Sequence, residues 1–345
     1  MMQATDHTLS RIFRGRVAAD DRRRSLQPEI SAPTTVGGYT LAASTATSEV
    51  AALAASTAAE KGWVAVYADL FKARLTSLVL LTTAVGFYLG SRGPVDFMLM
   101  CQALLGTALL ASGGAALNQL LEREYDAQMR RTQDRPLPTG RLRPETVLMV
   151  GCVSALVGLG YLAQAVNLLT AVVGAVTLVC YLFVYTPLKR VTWLNTLAGA
   201  VPGALPPVMG WTAARGELGS EGLALFAIQA CWQVPHFMAI AWIYRDEYAR
   251  AGFKMLPVID PQGRRTARLA VTFTLGLLTV SVYPYLLHLA GPIYLFSAAV
   301  LGLSFVWLAV QFARGLTVAR AWQLFYVSLL YLPLLMAVMV LDKIK

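Results

Sequence analysis

Residues 96–135 read DFMLMCQALLGTALLASGGAALNQLLEREYDAQMRRTQDR, and the fold turns on this stretch. From Phe97 to Leu117 it carries no charged residue. A helix rises about 1.5 Å per residue, so about 20 apolar residues cross the ~30 Å hydrocarbon layer of a bilayer. From Glu122 to Arg135 the same stretch crowds acids and arginines together. The segment therefore reads as a membrane span that delivers a charged helix end to one face of the membrane.

Working outward, comparable apolar stretches recur, and nine spans are expected: 74–91, 96–121, 145–163, 167–185, 196–214, 223–243, 269–289, 293–312 and 322–341. The fold class is all-α and polytopic. Composition agrees: 57% of the 345 residues are hydrophobic, 14% are charged and the mean hydropathy is +0.56. Soluble domains carry about 25% charged residues, so a water-soluble enzyme is excluded. The fifth span holds Pro202, Pro206 and Pro207, which predicts a broken or kinked helix. Cys101, Cys152, Cys180 and Cys231 sit singly in apolar segments. They read as small buried hydrophobes, with neither disulfide nor zinc.

Residues 1–62 differ. Arginines precede an Ala/Ser/Thr-rich run, and Asp6, Asp20, Asp21 and Glu29 count against an organelle transit peptide. They read as a loosely ordered cytoplasmic extension without a chemical motif, ahead of one membrane domain at 63–345. Its removal up to residue 60 is expected to leave activity largely intact.

The net charge is +10, and its distribution gives the orientation. Loops 122–144, 186–195, 244–268 and 313–321 hold sixteen Arg and Lys, and the four alternate loops hold two. This positive-inside asymmetry puts the N-terminus and the long basic loops in the cytoplasm. Lys343 and Lys345 at the other end run against the rule. Basic residues held against a membrane also remove a nucleic-acid reading.

Asn118, Glu122 and Asp126 recur every four residues and so share one helix face. Three oxygen donors at a membrane edge suit a hard cation such as Mg²⁺, which takes one or two carboxylates plus substrate phosphates. Arg130, Arg131 and Arg135 follow, and guanidinium pairs bidentately with phosphate. The plainer alternative is a ladder of surface ion pairs. A second segment, YRDEYARAGFKMLP at 244–257, repeats the theme. Asp246 and Glu247 stand there beside Arg245, Arg250 and Lys254, with Asp246 as a further metal ligand. Lys189 and Arg190 are either phosphate contacts or topology anchors. His236, in WQVPHF at 232–237, lies inside the sixth span. It is either a packing residue or a ligand for haem iron or a substrate carboxylate. His7 falls in the extension and His288 near an outer helix end.

NQLLEREYDAQMRRTQDRPLPTGRL at 118–142, YTPLKRVTWLN at 185–195, GALPPVMGW at 203–211, WQVPHF and YRDEYARAGFKMLP together resemble the protohaem IX farnesyltransferases, within the intramembrane prenyltransferase superfamily. The resemblance spans about residues 68–341. It implies a nine-helix bundle around a central cavity, open to the cytoplasm and laterally to lipid. It implies transfer of farnesyl from farnesyl diphosphate to a vinyl group of haem b with hydration, giving haem O. Asn118, Glu122 and Asp126 match the family's first metal–diphosphate motif, and Asp246 and Glu247 fall in the region of the second. Mg²⁺ is the implied cofactor, and haem b is a substrate. Membrane lipid, haem A synthase and oxidase assembly factors are the implied partners, and a bacterial inner membrane the implied location. The rivals are a prenyltransferase for an aromatic or quinone precursor, and an ion-coupled transporter. Transporter carboxylates favour the bilayer midplane, and here they cluster at cytoplasmic ends.

Overall fold

The computed structural model describes residues 61–344, so readings that fall on residues 1–60 or on Lys345 lie outside the described residues. All regular elements among the described residues are helical. A short α1 (Trp63–Leu70) precedes α2 (Ala73–Gly90) and α3 (Phe97–Asp126). Next comes α4 (Pro144–Tyr161), which runs into a π-helical turn at Leu162–Val166. Then α5 (Leu168–Val179) passes through a second π turn at Cys180–Tyr185 into α6 (Thr186–Val191). The chain continues with α7 (Asn195–Arg215), α8 (Gly219–Ile243), α9 (Arg245–Arg250) and α10 (Leu256–Ile259). It closes with α11 (Arg264–Val280), α12 (Tyr283–Leu286), α13 (Pro292–Gly315) and α14 (Val318–Leu341).

Eight of these runs are long and apolar enough to cross a membrane: 73–90, 97–126, 144–166, 168–191, 219–243, 264–286, 292–315 and 318–341. The chain is an integral membrane protein. The fifth expected span, α7, is long enough but is not one of the eight. Its three prolines, its glycines and Asn195 lower its hydropathy. The expected break in it is absent, because the helix runs unbroken from Asn195 to Arg215. Prolines free backbone carbonyls, which membranes tolerate where the helix is enclosed by protein. Pro202, Pro206 and Pro207 are all buried.

The enclosure depends on small residues. A Cβ on Gly86 of α2 would collide with the Pro207 carbonyl, and one on Gly210 of α7 with the Thr83 carbonyl. Between α3 and α4, a Cβ on Gly113 would stand 2.6 Å from Ala155 N, and one on Gly158 2.7 Å from Leu110 N. Backbones this close gain packing that apolar side chains alone cannot give in lipid. The four cysteines are free, but none is fully buried as expected; Cys101 is exposed. A helix inside a bilayer loses nothing by turning a thiol outward, since lipid is as apolar as the interior.

The far end of the bundle explains one charge that ran against the topology rule. Lys343 Nζ donates to the carbonyl oxygens of Tyr88 and Ser91, both at 2.7 Å. It satisfies carbonyls at the C-terminal end of α2, where a cation is favoured. Lys343 therefore acts as a clasp between the two ends of the domain.

Candidate active site

The C-terminal half of α3 builds the site. Glu122 ended the expected span at residue 121, yet the helix continues to Asp126. The four-residue spacing turns Asn118, Glu122 and Asp126 inward together, with 1%, 4% and 1% of their surface exposed. Buried polar groups require partners, and charged ones most of all. Each of the three has one cation. Lys72 Nζ donates to Asn118 Oδ1 at 2.7 Å, Lys189 Nζ to Glu122 Oε1 at 2.7 Å, and Arg135 Nη1 to Asp126 Oδ2 at 2.6 Å. Asn118 Nδ2 in turn donates to Thr186 Oγ1 at 3.0 Å, which ties α3 to α6.

The cations arrive from three places in the chain: the α1–α2 junction, α6 and the loop after α3. Lys72 joins α1 to α2 in a left-handed conformation, φ 49° and ψ 52°. That is an uncommon state for a lysine, held here by its bonds to Asn118 and, at 3.2 Å, to the Tyr181 hydroxyl. Burial, then the nearby Arg135 charge, lowers the Lys72 ammonium to a pKa of about 7. The π turn at Cys180–Tyr185 adds Tyr181 and Tyr185 to the wall, their rings stacked at 6.0 Å. Lys189 Nζ lies 4.5 Å from the centre of the Tyr185 ring. Such wide turns often mark functional sites. Arg131 donates to the Tyr248 hydroxyl at 2.9 Å.

These groups form the mouth of a cavity of about 480 Å³. Behind them the wall turns apolar, with Val79, Leu110, Met209, Leu332 and Met336, and it reaches His236 and Gln229. Leu75, Leu78 and Leu81 line it while also standing exposed on the outside of α2, so the cavity reaches the lateral surface of the bundle. The size suits a ligand pocket, which typically spans about 300–1,000 Å³.

The expected site residues divide. Asn118, Glu122, Asp126, Arg131, Arg135, Lys189 and His236 line the cavity. Arg130, Arg190, Arg245, Asp246, Glu247 and Lys254 do not. Arg130 is exposed. Arg190 packs over the Tyr125 ring at 3.9 Å and donates to the Leu121 carbonyl. Asp246, expected as a metal ligand, has 92% of its side chain exposed and pairs with Arg245 at 3.6 Å. Glu247 shares its short helix α9, which has no buried residue. Arg245 sits over the Trp242 ring at 4.8 Å. Lys254 takes part through its backbone: its N–H donates to the Lys189 carbonyl, and its own carbonyl accepts from Asn195. From the second segment, Tyr248, Phe253 and Met255 reach the cavity. Lys72, Tyr181, Tyr185 and Tyr248 escaped the sequence reading. Lys72 and Tyr185 stand at the edges of apolar runs, Tyr181 lies inside one and Tyr248 in a charged stretch, so no shared sequence signal marks them.

Residues 79–333 match the UbiA prenyltransferase family. Over 286 residues the chain is 46% identical to a protein named "Protoheme IX farnesyltransferase" from Solibacter usitatus, covering 80% of this chain and 98% of that one. The chain belongs to the protohaem IX farnesyltransferase branch of the UbiA prenyltransferase family. Its fold matches solved relatives despite low identity. A digeranylgeranylglyceryl phosphate synthase aligns with TM-score 0.70 at 14% identity, over 82% of this chain and 99% of that one. A UbiA homologue from Archaeoglobus fulgidus, solved with GPP and Mg²⁺ bound, aligns with TM-score 0.60 at 18% identity, over 79% and 99%. This farnesyltransferase-branch chain thus keeps the family scaffold, and its charged cavity mouth is built on that scaffold.

Proposed function

We propose that the chain transfers the farnesyl group of farnesyl diphosphate to a vinyl group of haem b, with addition of water, giving haem O and diphosphate. The observation that carries the reading is one continuous cavity with two chemistries. Carboxylates gripped by cations stand at its mouth, and an apolar chamber lies behind.

The residues present fit Mg²⁺. Asn118, Glu122 and Asp126 are hard oxygen donors on one face. One oxygen of each carboxylate, Glu122 Oε2 and Asp126 Oδ1, takes no hydrogen bond from the described residues, and both residues line the cavity. Those three residues would hold the ion. When bound, Mg²⁺ neutralises charge on the departing diphosphate. The Archaeoglobus fulgidus homologue holds the same ion with a prenyl diphosphate, which supports the assignment. Lys72, Arg131, Arg135 and Lys189 border the same space and would pair with diphosphate oxygens. They are already held in place by Asn118, Tyr248, Asp126 and Glu122, so little reorganisation is needed.

The allylic C–O bond breaks, and its electron pair leaves with the diphosphate. The vinyl π pair forms the new C–C bond to the farnesyl carbon. Water adds to the resulting porphyrin-side cation and loses a proton, leaving a hydroxyl. The apolar wall shields the farnesyl cation from early capture by water. We place the chain in a bacterial inner membrane with the cavity mouth and N-terminus cytoplasmic, supported by the sixteen-to-two split of basic residues. Asp246 and Glu247, which do not line the cavity, take no part in this proposal.

The test is mass spectrometry of membranes incubated with haem b, farnesyl diphosphate and Mg²⁺, with an EDTA control. A Mg²⁺-dependent product with the mass of haem O is expected. Unchanged haem b, with prenylation of an aromatic acceptor instead, would overturn the acceptor assignment.

A further inference from the structure

The deep part of the cavity contains one arrangement that diphosphate chemistry does not use. His236 of α8 is buried, and its ring packs against Trp232 and Phe325, with both centroids 5.0 Å away and interplanar angles of 22° and 29°. Its Nδ1 lies 2.7 Å from Ser328 Oγ on α14. Ser328 Oγ also contacts the Phe325 carbonyl. A carbonyl only accepts, so the single hydroxyl hydrogen of Ser328 points there. The Ser328 oxygen is then left to accept, and the hydrogen of the His236–Ser328 bond sits on Nδ1. This assigns the tautomer: Nε2 keeps its lone pair. The Trp232 indole N–H donates to the Ser328 carbonyl at 2.8 Å, which locks α8 to α14 at the same level.

Nε2 hydrogen-bonds to no described atom, and His236 lines the cavity. The described lining residues offer no second imidazole and no thiolate. His236 stands seven residues before Ile243, the end of α8, or roughly 10 Å deeper by helical rise. It is thus set apart from the charged mouth, in the apolar zone. A neutral imidazole whose other nitrogen is oriented by a hydrogen bond is the form that ligates transition metals, haem iron included.

We infer that His236 Nε2 binds the iron of the haem substrate as an axial ligand, with Ser328 setting the tautomer and Trp232 and Phe325 setting the ring plane. This rests on the haem-acceptor reading above. The bond is dative, so no electron is transferred and no proton is released. It makes the enzyme select metal-bearing tetrapyrroles, and it fixes the macrocycle so that one edge can meet the prenyl carbon. Ser328 is a positioning residue, acting through His236.

The test titrates the purified full-length protein with ferric haem b, read by its Soret band, and with metal-free protoporphyrin IX, read by fluorescence. Wild-type protein should give a histidine-ligated haem spectrum and prefer haem over the metal-free ring. His236→Ala should lose that spectrum and weaken haem binding more than about tenfold, with added imidazole restoring the spectrum. His236→Met, which keeps a ligand of different chemistry, should give a distinct spectrum and confirms that the pocket survives substitution. Ser328→Ala should weaken haem binding about tenfold while leaving the metal-free ring unaffected. Wild-type protein that makes haem O while His236→Ala shows an unchanged haem spectrum would overturn the ligation alone. Wild-type protein that binds no haem but prenylates another acceptor would overturn the acceptor reading as well.

Discussion

The segments 118–135 and 244–257 carry similar residue types: acids beside basic residues at the end of a span. In the first, the acids continue a long helix, and its four-residue period buries all three oxygen donors on the cavity side. In the second, α8 stops at Ile243, the chain turns at Tyr244, and a six-residue helix carries Asp246 outward. The aromatic residues of that segment take the inward positions instead. Tyr248 and Phe253 pack with Tyr125 and Met129, and Tyr248 accepts the Arg131 hydrogen bond. Similar composition therefore serves two purposes. One segment supplies charge to the cavity, and the other supplies a lid of rings that positions the charge.

Substitutions break or sharpen this contrast. The largest loss is expected from Asp126→Asn, which removes an inward charge at constant size. Haem O formation should fall more than about 100-fold while the protein inserts normally. Wild-type turnover in that variant would remove the metal role from α3. Next is Lys189→Met, which strips the buried partner of Glu122. Turnover should fall about 10- to 100-fold and thermal stability should drop, because a buried carboxylate is left unpaired. Lys254→Ala, whose contacts here are made by backbone, should match wild type in the same assays.

A smaller effect tests the link between the segments. Tyr248→Phe deletes the Arg131 hydrogen bond and keeps the ring packing. We expect about a three- to tenfold rise in KM for farnesyl diphosphate, with kcat little changed. Asp246→Asn should have a smaller effect still, with less than about a threefold change in turnover, as for an exposed ion pair. If Asp246→Asn instead loses as much as Asp126→Asn, the 245–250 segment must turn inward when diphosphate binds, and the contrast collapses.

Helix faces were legible because they follow local rules. Asn118, Glu122 and Asp126 share a face by period alone, and hydrophobic length located the spans to within a few residues for most of them. Partners were not legible, because contact between distant residues is decided by packing. Lys72 lies 46 residues before Asn118, and Lys189 lies 67 after Glu122. The prolines of α7 signalled a broken or kinked helix by local rules, yet the helix runs continuously from Asn195 to Arg215, with Gly86 and Gly210 letting α2 close against it.

By itself, the sequence determined the membrane-spanning all-α class and the inward trio of α3, and its loop charges carry the proposed orientation. Hydropathy, loop charge and a four-residue repeat are properties of single segments, and a bilayer constrains single segments strongly. Tertiary structure alone decided which of two similar charged loops enters the cavity, which cations meet which carboxylates, and which nitrogen of His236 is left open. Each of those outcomes depends on a second helix arriving at the right depth and angle. A single segment carries no record of its partner's position.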